Sequence, residues 1–211
     1  MIVPAETFQG GSPALPGAKG CALAVIDMQN AYCDAAGFWA SRATDKQACI
    51  RVVEPCRQVV DAARRAGVPV IHVVKVSFSE SVPTMGFHNG RRDKSGLMLP
   101  DSFDGSIVAP LRPAPGEVVV QKLAYSAFHG TGMDAMLQRM GVKQLAVIGV
   151  TTSICVESTV RDAAQRGMDV YVARDACAEW EVARHERAIE QMGYAFARIV
   201  SAQQLAEAWT K

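Results

Sequence analysis

Three side chains of this sequence could together perform nucleophilic chemistry: the carboxyl group of Asp27, the amine of Lys122 and the thiol of Cys155. A carboxylate can take the proton of a thiol and later return it, an ammonium can hold both anions, and a thiolate can attack a carbonyl carbon. The combination predicts acyl transfer through a thioester. Taken singly, each residue has an ordinary alternative, as a turn cap, a solvated lysine or a small buried apolar residue.

Each of the three residues follows a short apolar run that predicts a strand buried on both faces of a parallel sheet. The carboxyl ends of parallel strands meet at one edge of the sheet, where open α/β sheets bind their ligands. We therefore expect the three side chains to lie close together. The runs are residues 21–26, 118–121 and 145–150.

A helical pattern begins at Cys155 and ends at Gly167. Cys155 is therefore predicted in the first turn of a helix, where unpaired backbone N–H groups and the helix dipole favour the thiolate, which is the nucleophilic form. Cys177 also follows a predicted strand, but no carboxylate and lysine pair can be assigned to it. It is the weaker candidate for a nucleophile.

Strand-like and helix-like segments alternate along the whole chain. The pattern predicts an α/β fold, a single-domain three-layer α/β/α sandwich around a six-stranded, mostly parallel sheet. A helix over about 45–65 is expected to break or kink at Pro55, and another is expected to end at Gly193. Ser201 and Gln204 predict a capping box at the start of the last helix.

Composition indicates a globular protein that acts on a small molecule. The chain has 211 residues, 22 basic against 21 acidic side chains, and a net charge of +1 without a long run of one sign. This pattern argues against nucleic acid and membrane surfaces as partners. Six cysteines without a CxxC pair indicate reduced thiols, and we expect a cytoplasmic location. Residues 1–20 are predicted to be a flexible N-terminal segment and residues 21–211 the folded domain.

Residues 77–116 depart from this alternation. They hold five of the ten prolines and five glycines, in a connection longer than compact domains usually need. The segment is predicted to be a lid or a subunit contact, with an ordinary solvated insertion as the alternative.

Three blocks of sequence resemble the isochorismatase-like cysteine hydrolases, a superfamily that includes nicotinamidases, N-carbamoylsarcosine amidases, biuret hydrolases and ureidoacrylate amidohydrolases. They are VIDMQNAYCD around Asp27, QKLAYSAFHGTGMDAML around Lys122 and GVTTSICVESTVRDAAQRGMDVYVARDACA around Cys155, and the resemblance covers about residues 20–200. It implies that these three residues form a catalytic triad. It also implies a cis Val150–Thr151 peptide bond, an oxyanion hole from the backbone N–H groups of Thr151 and Cys155, and a homo-oligomer, dimer or tetramer.

Differences from these relatives narrow the expected chemistry. Nicotinamidases hold a metal through an Asp-x-His pair and a further His, whereas this region offers only Glu80, His88 and Asp93 at unsuitable spacing, so no metal and no cofactor is expected. Isochorismatases proper cleave a vinyl ether and generally lack the cysteine. Cys155 therefore favours hydrolysis of a C–N bond in a small amide, ureido or carbamoyl compound, with release of ammonia. A vinyl-ether hydrolase and a non-catalytic ligand-binding scaffold are the alternatives.

Further residues could contact the substrate, although each of them could instead pack or cap the fold. The predicted substrate-binding residues are Gln29, Tyr125, Phe128 and Thr152. A substrate carboxylate could pair with an arginine, and the sequence does not choose among Arg91, Arg92, Arg161 and Arg174. His185 is predicted to be a surface residue.

Overall fold

The computed structural model describes residues 15–76 and 98–210, which form one six-stranded sheet with its strands in the order β3-β2-β1-β4-β5-β6. Every neighbouring pair of strands is parallel, so the prediction of a six-stranded, mostly parallel sheet is confirmed. The strands are β1 (Cys21–Ile26), β2 (Val70–Lys75), β3 (Val118–Lys122), β4 (Gln144–Val150), β5 (Asp169–Ala178) and β6 (Arg198–Val200).

Helices cover both faces of the sheet and complete the three predicted layers. Helices α3 and α7 pack on one face, and α4, α5 and α6 pack on the other, each against its own apolar layer. The α-helices are α1 (Asn30–Cys33), α2 (Ala48–Arg51), α3 (Val53–Ala66), α4 (Met133–Arg139), α5 (Glu157–Gln165), α6 (Val182–Ala195) and α7 (Ala202–Ala208). Single turns of other helix types lie at Ala40–Arg42, Ala109–Leu111 and Thr152–Val156.

The direction of winding reverses between β1 and β4, the two central strands. The chain adds β2 and β3 beyond β1 and then β5 and β6 beyond β4, so the carboxyl ends of β1 and β4 flank the switch point where such sheets bind ligands. Ile26 pairs there with Gly149, whose φ is 120°. A Cβ atom on Gly149 would overlap the Ile26 carbonyl oxygen. The glycine therefore permits the close approach of the two strand ends.

The structure changes two of the helix boundaries predicted from the sequence and confirms a third. The predicted helix over about 45–65 divides at Val52, and Pro55 occupies the first turn of α3, where its missing N–H has no helical partner. Helix α6 continues past Gly193, where a Cβ atom would come 3.0 Å from Ile199 Cγ1; close packing, not a helix end, requires this glycine. The Ser201 and Gln204 capping box is confirmed.

Part of the predicted lid or contact segment, residues 77–97, lies outside the described residues, and so do residues 1–14 of the predicted N-terminal segment. The following stretch docks against the turn after β1. Asn30 N donates to Ser106 O at 2.9 Å, and Val108 N donates to Met28 O at 3.0 Å. In the part of the chain that is described, no helix has the length and apolar character needed to cross a membrane.

Glu117 joins β2, α3 and the start of β3 through its carboxylate. It accepts hydrogen bonds from Arg64 Nε at 2.8 Å and from Ala114 N at 2.8 Å, and it lies 2.8 Å from His72 Nε2. Burial opposes the charge, but these hydrogen bonds outweigh it and lower the pKa of Glu117 to about 2.

Replacement of Glu117 by glutamine is therefore expected to lower the free energy of unfolding by about 2 kcal/mol at pH 7, since bonds to a partly buried carboxylate are lost. Because the folded pKa lies below the ordinary 4.5, this contribution is complete above pH 4.5 and disappears as the pH falls towards about 2. Urea unfolding of Glu117→Gln and wild type across pH 2 to 7 measures it. Exposed Glu207→Gln is the control. An equal difference at all pH values would contradict the assignment.

Candidate active site

Lys122 lies at the centre of a buried cluster that contains all three residues of the predicted triad. Its Nζ atom lies 2.8 Å from Asp27 Oδ2 and 3.4 Å from Cys155 Sγ, and it donates to Ala124 O at 3.2 Å. Asp27 and Lys122 are each 1% exposed, and Cys155 is 6% exposed. The carboxylate, ammonium and thiol thus form one contact group at the carboxyl edge of the sheet.

Asp27 is held in an unusual backbone conformation immediately after β1. Its φ is 49°, in the left-handed region that residues other than glycine rarely occupy, and its N–H donates to Val73 O at 2.8 Å. Such conformations persist where surrounding structure imposes them, often at functional sites. Oδ1 is buried and, within the described residues, has no hydrogen-bond partner. This oxygen can accept a proton from a thiol or from a substrate N–H.

The structure places Cys155 differently from the predicted first α-helical turn. Residues Thr152–Val156 form a single π-helical turn, here called the Cys155 turn, and α5 begins only at Glu157. The Val150–Thr151 bond that precedes the turn is cis. Turns of the π type recur at functional sites. The sequence pattern located the helix but did not reveal the π turn at its start.

Two side chains from the segment after β5 hold the Cys155 turn. Ser153 Oγ donates to Glu179 Oε2 at 2.7 Å, and Thr152 Oγ1 lies 2.9 Å from His185 Nδ1. Glu179 is buried and also accepts a hydrogen bond from Trp180 N. The prediction that His185 is a surface residue is wrong: it is half-buried, and burial lowers its pKa. His185 is less exposed than predicted because α6 packs against the Cys155 turn. This contact joins distant parts of the chain and cannot be predicted from the local sequence.

Electrostatics in the cluster favour a protonated thiol in the absence of substrate. Burial and then the Asp27 carboxylate raise the pKa of Cys155 to about 12, against the opposing effect of Lys122. Burial opposes the charge of Lys122, yet Asp27 and Cys155 outweigh it and raise the pKa of Lys122. The expected thiolate-favouring effect of a helix start is therefore overcome by desolvation. The thiol must lose its proton to a neighbouring base when it reacts.

The four predicted substrate-binding residues differ in whether the side chain is already buried or hydrogen-bonded within the protein. Gln29 Nε2 donates to Lys75 O and Gly105 O, while Gln29 Oε1 accepts from Lys75 N, so this buried amide is used by the backbone and we withdraw the residue as a substrate contact. Phe128 is also withdrawn, because it is buried in the apolar layer beneath the Arg166 guanidinium. Thr152 is engaged by His185 as described above. Tyr125 is half-buried, and its contact with substrate stays a prediction.

Sequence reasoning missed two side chains beside the triad. Lys75 ends β2 in register with Lys122, and its charge interacts with Cys155, Lys122 and Asp27. Tyr32 in α1 is buried, and burial followed by the charges of Asp27 and Cys155 raises its pKa well above its ordinary value. The strand-end rule that found Asp27 and Lys122 also points to Lys75. No comparable signal marks Tyr32, which tertiary packing brings to the site.

The two candidate arginines that the structure describes have carboxylate partners outside this cluster. Arg161 pairs with Glu157 at 2.6 Å and Arg174 with Glu186 at 2.8 Å. Arg91 and Arg92 lie outside the described residues, as do Glu80, His88 and Asp93. Among residues 15–76 and 98–210, no three His, Cys, Asp or Glu side chains are grouped so that they could hold a metal ion.

Comparisons with known proteins agree with this fold. The family model of the isochorismatase domain matches residues 21–204. The chain is 33% identical over 156 residues to ureidoacrylate amidohydrolase RutB of Rhizobium rhizogenes, a match that covers 67% of this chain and 63% of that protein. It therefore spans slightly less than two thirds of that relative.

Two solved structures are similar in three dimensions. N-carbamoylsarcosine amidase from Thermoplasma acidophilum has a TM-score of 0.72 and 27% identity, with 86% of this chain and 96% of that chain covered. A cysteine hydrolase from Pseudomonas syringae pv. phaseolicola has a TM-score of 0.82 over 95% and 99% of the two chains, and its 22% identity shows the shared fold alone. The chain belongs to the isochorismatase family.

Replacement of Asp27 by asparagine tests whether this carboxylate controls the thiol. The change removes a negative charge that raises the pKa of Cys155 and leaves Lys122 3.4 Å from the sulfur. We expect alkylation of Cys155 by iodoacetamide to become faster near neutral pH, with the rate profile displaced to lower pH. Peptide mass analysis after timed labelling separates Cys155 from the other five thiols.

Asp169→Asn is the matched control, because Asp169 is exposed at the amino end of β5 and lies at the opposite edge of the sheet. Its labelling profile is expected to match that of the wild type. If folded Asp27→Asn also reacts as the wild type does, the Asp27 carboxylate does not act on the thiol.

Proposed function

We propose that this protein is a cysteine amidohydrolase that uses neither metal nor cofactor, with Asp27, Lys122 and Cys155 as its catalytic residues. Its substrate is a small amide, ureido or carbamoyl compound, and ammonia is released. The observation that carries the proposal is the placement of Lys122 Nζ within 2.8 Å of Asp27 Oδ2 and 3.4 Å of Cys155 Sγ. This is the arrangement needed to pass a proton between a carboxylate and a thiol while charge is balanced.

In the first half of the reaction, Asp27 takes the thiol proton as the sulfur attacks the carbonyl carbon. Because the buried thiol has a pKa of about 12, transfer to a base during attack is required near neutral pH. Asp27 then gives the proton to the leaving nitrogen, the C–N bond breaks, and ammonia departs. The product is a thioester on Cys155. Lys122 stabilises the carboxylate before the transfer and the thiolate after it.

In the second half, Asp27 takes a proton from water, which attacks the thioester carbonyl. The C–S bond breaks, the acid product leaves, and the thiol recovers its proton. The backbone N–H groups of Thr151 and Cys155, at the entry to and within the Cys155 turn, are proposed to hold the oxyanion in both halves. Tyr125 is the proposed substrate contact that remains from the sequence analysis, because Thr152 is fully buried with its hydroxyl beside His185.

The relatives support hydrolysis of a C–N bond other than a peptide bond, as in linear amides. They are named for ureidoacrylate and N-carbamoylsarcosine. Cleavage of a vinyl ether gives no role to a thiol held by a carboxylate and ammonium pair, and a non-catalytic scaffold has no use for three buried polar residues that cost free energy to desolvate. The contact group therefore favours the amidohydrolase over both alternatives.

The remaining expectations from the sequence are part of this proposal. Residues 21–211 are taken as the hydrolase domain, in a cytoplasmic homo-oligomer whose partner is a small molecule and not nucleic acid or a membrane. The matched family region, residues 21–204, supports the domain boundary at Cys21.

The proposal is tested by measuring ammonia from a panel of small amides, ureido acids and carbamoyl amino acids. On the best substrate, Cys155→Ala is expected to lower turnover by roughly 10⁴-fold or more, because loss of one member of a cooperating set removes most of the acceleration. Acid quenching during turnover should reveal an added acyl mass on the peptide that contains Cys155. Cys177→Ala is the matched control, as a second buried thiol outside the cluster.

Turnover by Cys155→Ala close to the wild-type rate would exclude the thiol as nucleophile. A carbonyl product from an enol ether without ammonia would support the vinyl-ether hydrolase. Substrate binding without any product would support the scaffold.

A further inference from the structure

Lys75 is a second lysine at the catalytic edge of the sheet. It ends β2 and pairs in register with Lys122, so the two side chains leave adjacent strands on the same face, about 4.8 Å apart at the backbone. Its ammonium lies 5.1 Å from the centre of the Tyr125 ring, within the range of a cation–π contact. Lys75 therefore lies beside Tyr125 at the strand end next to that of Lys122, and its charge interacts with those of Cys155 and Asp27.

The side-chain amide of Gln29 forms hydrogen bonds with both the backbone N–H and the backbone carbonyl of Lys75. Gln29 Oε1 accepts from Lys75 N at 2.9 Å, and Gln29 Nε2 donates to Lys75 O at 2.9 Å. The same Nε2 also donates to Gly105 O at 2.8 Å. The buried amide of Gln29 thus holds the end of β2 beside the turn that follows β1, where Asp27 lies. Gln29 acts as a positioning residue for Lys75.

The ammonium of Lys75 has no carboxylate partner among residues 15–76 and 98–210, although the side chain is partly buried. Asp27, the nearest carboxylate with which its charge interacts, is already bound to Lys122 at 2.8 Å. Burial of an ammonium without a partner costs free energy, and an anion placed beside it recovers that cost. With the thiol protonated, the two lysines and Asp27 leave one positive charge in excess.

We propose that Lys75 binds the carboxylate of the substrate and so selects small amides or ureido compounds that carry one negative charge. The proposal rests on the proposed function, since it concerns the substrate of the same site. A monoanion balances the one positive charge that these three described side chains, the two lysines and Asp27, leave in excess, whereas a neutral amide gives Lys75 no anionic partner among the described residues. The arginines considered from the sequence do not compete for this role where they are described, because Arg161 and Arg174 have carboxylate partners of their own.

A pair of alkylating reagents measures this effect without any enzymatic turnover. Iodoacetate and iodoacetamide transfer similar groups to Cys155 with loss of iodide, but only iodoacetate carries a negative charge. Changes in thiol reactivity alter both rates together, so the ratio of the two rates reports attraction of the anion. In Lys75→Met, which keeps the length of the stem, the ratio is expected to fall roughly tenfold, as for loss of one hydrogen bond to a charged group.

Two variants control this measurement. Lys75→Arg retains the charge and should restore most of the ratio, and Lys143→Met removes an exposed lysine at the opposite edge of the sheet and should leave the ratio at the wild-type value. An unchanged ratio in folded Lys75→Met overturns the proposal. If that variant does not fold, wild-type protein is labelled with iodoacetamide in the presence of N-carbamoylglycine or its methyl ester. Stronger protection by the acid supports the anion site, and equal protection refutes it.

Kinetics then connect the anion site to the reaction. For the best carboxylate-bearing substrate and its methyl ester, the ratio of kcat/KM values should fall by a similar factor in Lys75→Met. A lowered alkylation ratio without ammonia from any compound would retain the anion site and reject the amidohydrolase. Ammonia release with an unchanged alkylation ratio would retain the amidohydrolase and reject the anion site. Failure of one proposal is therefore distinguishable from failure of the other.

Discussion

The buried ammonium of Lys122 is the constraint on which the rest of the site depends. A charge removed from water must be paired and hydrogen-bonded, and loss of one partner of a buried ion pair typically costs about 3–5 kcal/mol. Lys122 meets this requirement through Asp27, the sulfur of Cys155 and the carbonyl of Ala124. Because these partners come from three separate parts of the chain, the ammonium requires the ends of β1 and β3 and the Cys155 turn to converge.

The parallel sheet makes that convergence possible. Reversal of winding between β1 and β4 leaves an opening at their carboxyl ends, and the absence of a side chain at Gly149 lets the two strands approach there. Lys122 starts two strands away on β3, so its long side chain must reach across the end of β2. The left-handed conformation of Asp27 turns the carboxylate from the sheet towards this opening. Rigid strand ends thereby orient groups that flexible loops would hold less firmly.

Desolvation disfavours both kinds of charge at this edge, the thiolate and the ammonium. It raises the pKa of the Cys155 thiol, and for this reason the proposed reaction includes proton transfer from the thiol to Asp27. It also makes an unpaired ammonium costly, which is why Lys75 beside Tyr125 is suited to an anionic ligand. In the proposed reaction, the same exclusion of water would protect the thioester and favour a substrate that carries a negative charge.

The sequence by itself determined the sheet and its layers and placed the three proposed catalytic residues at one edge, because apolar runs fix buried strands and parallel strands share a carboxyl edge. The same rule extends to Lys75, which ends β2 in the same way. Only the tertiary structure decided that Gln29 binds backbone, that His185 reaches Thr152, and that burial outweighs the helix start at Cys155. These outcomes depend on contacts between residues distant in sequence and on the exclusion of water, and neither quantity is encoded in local spacing.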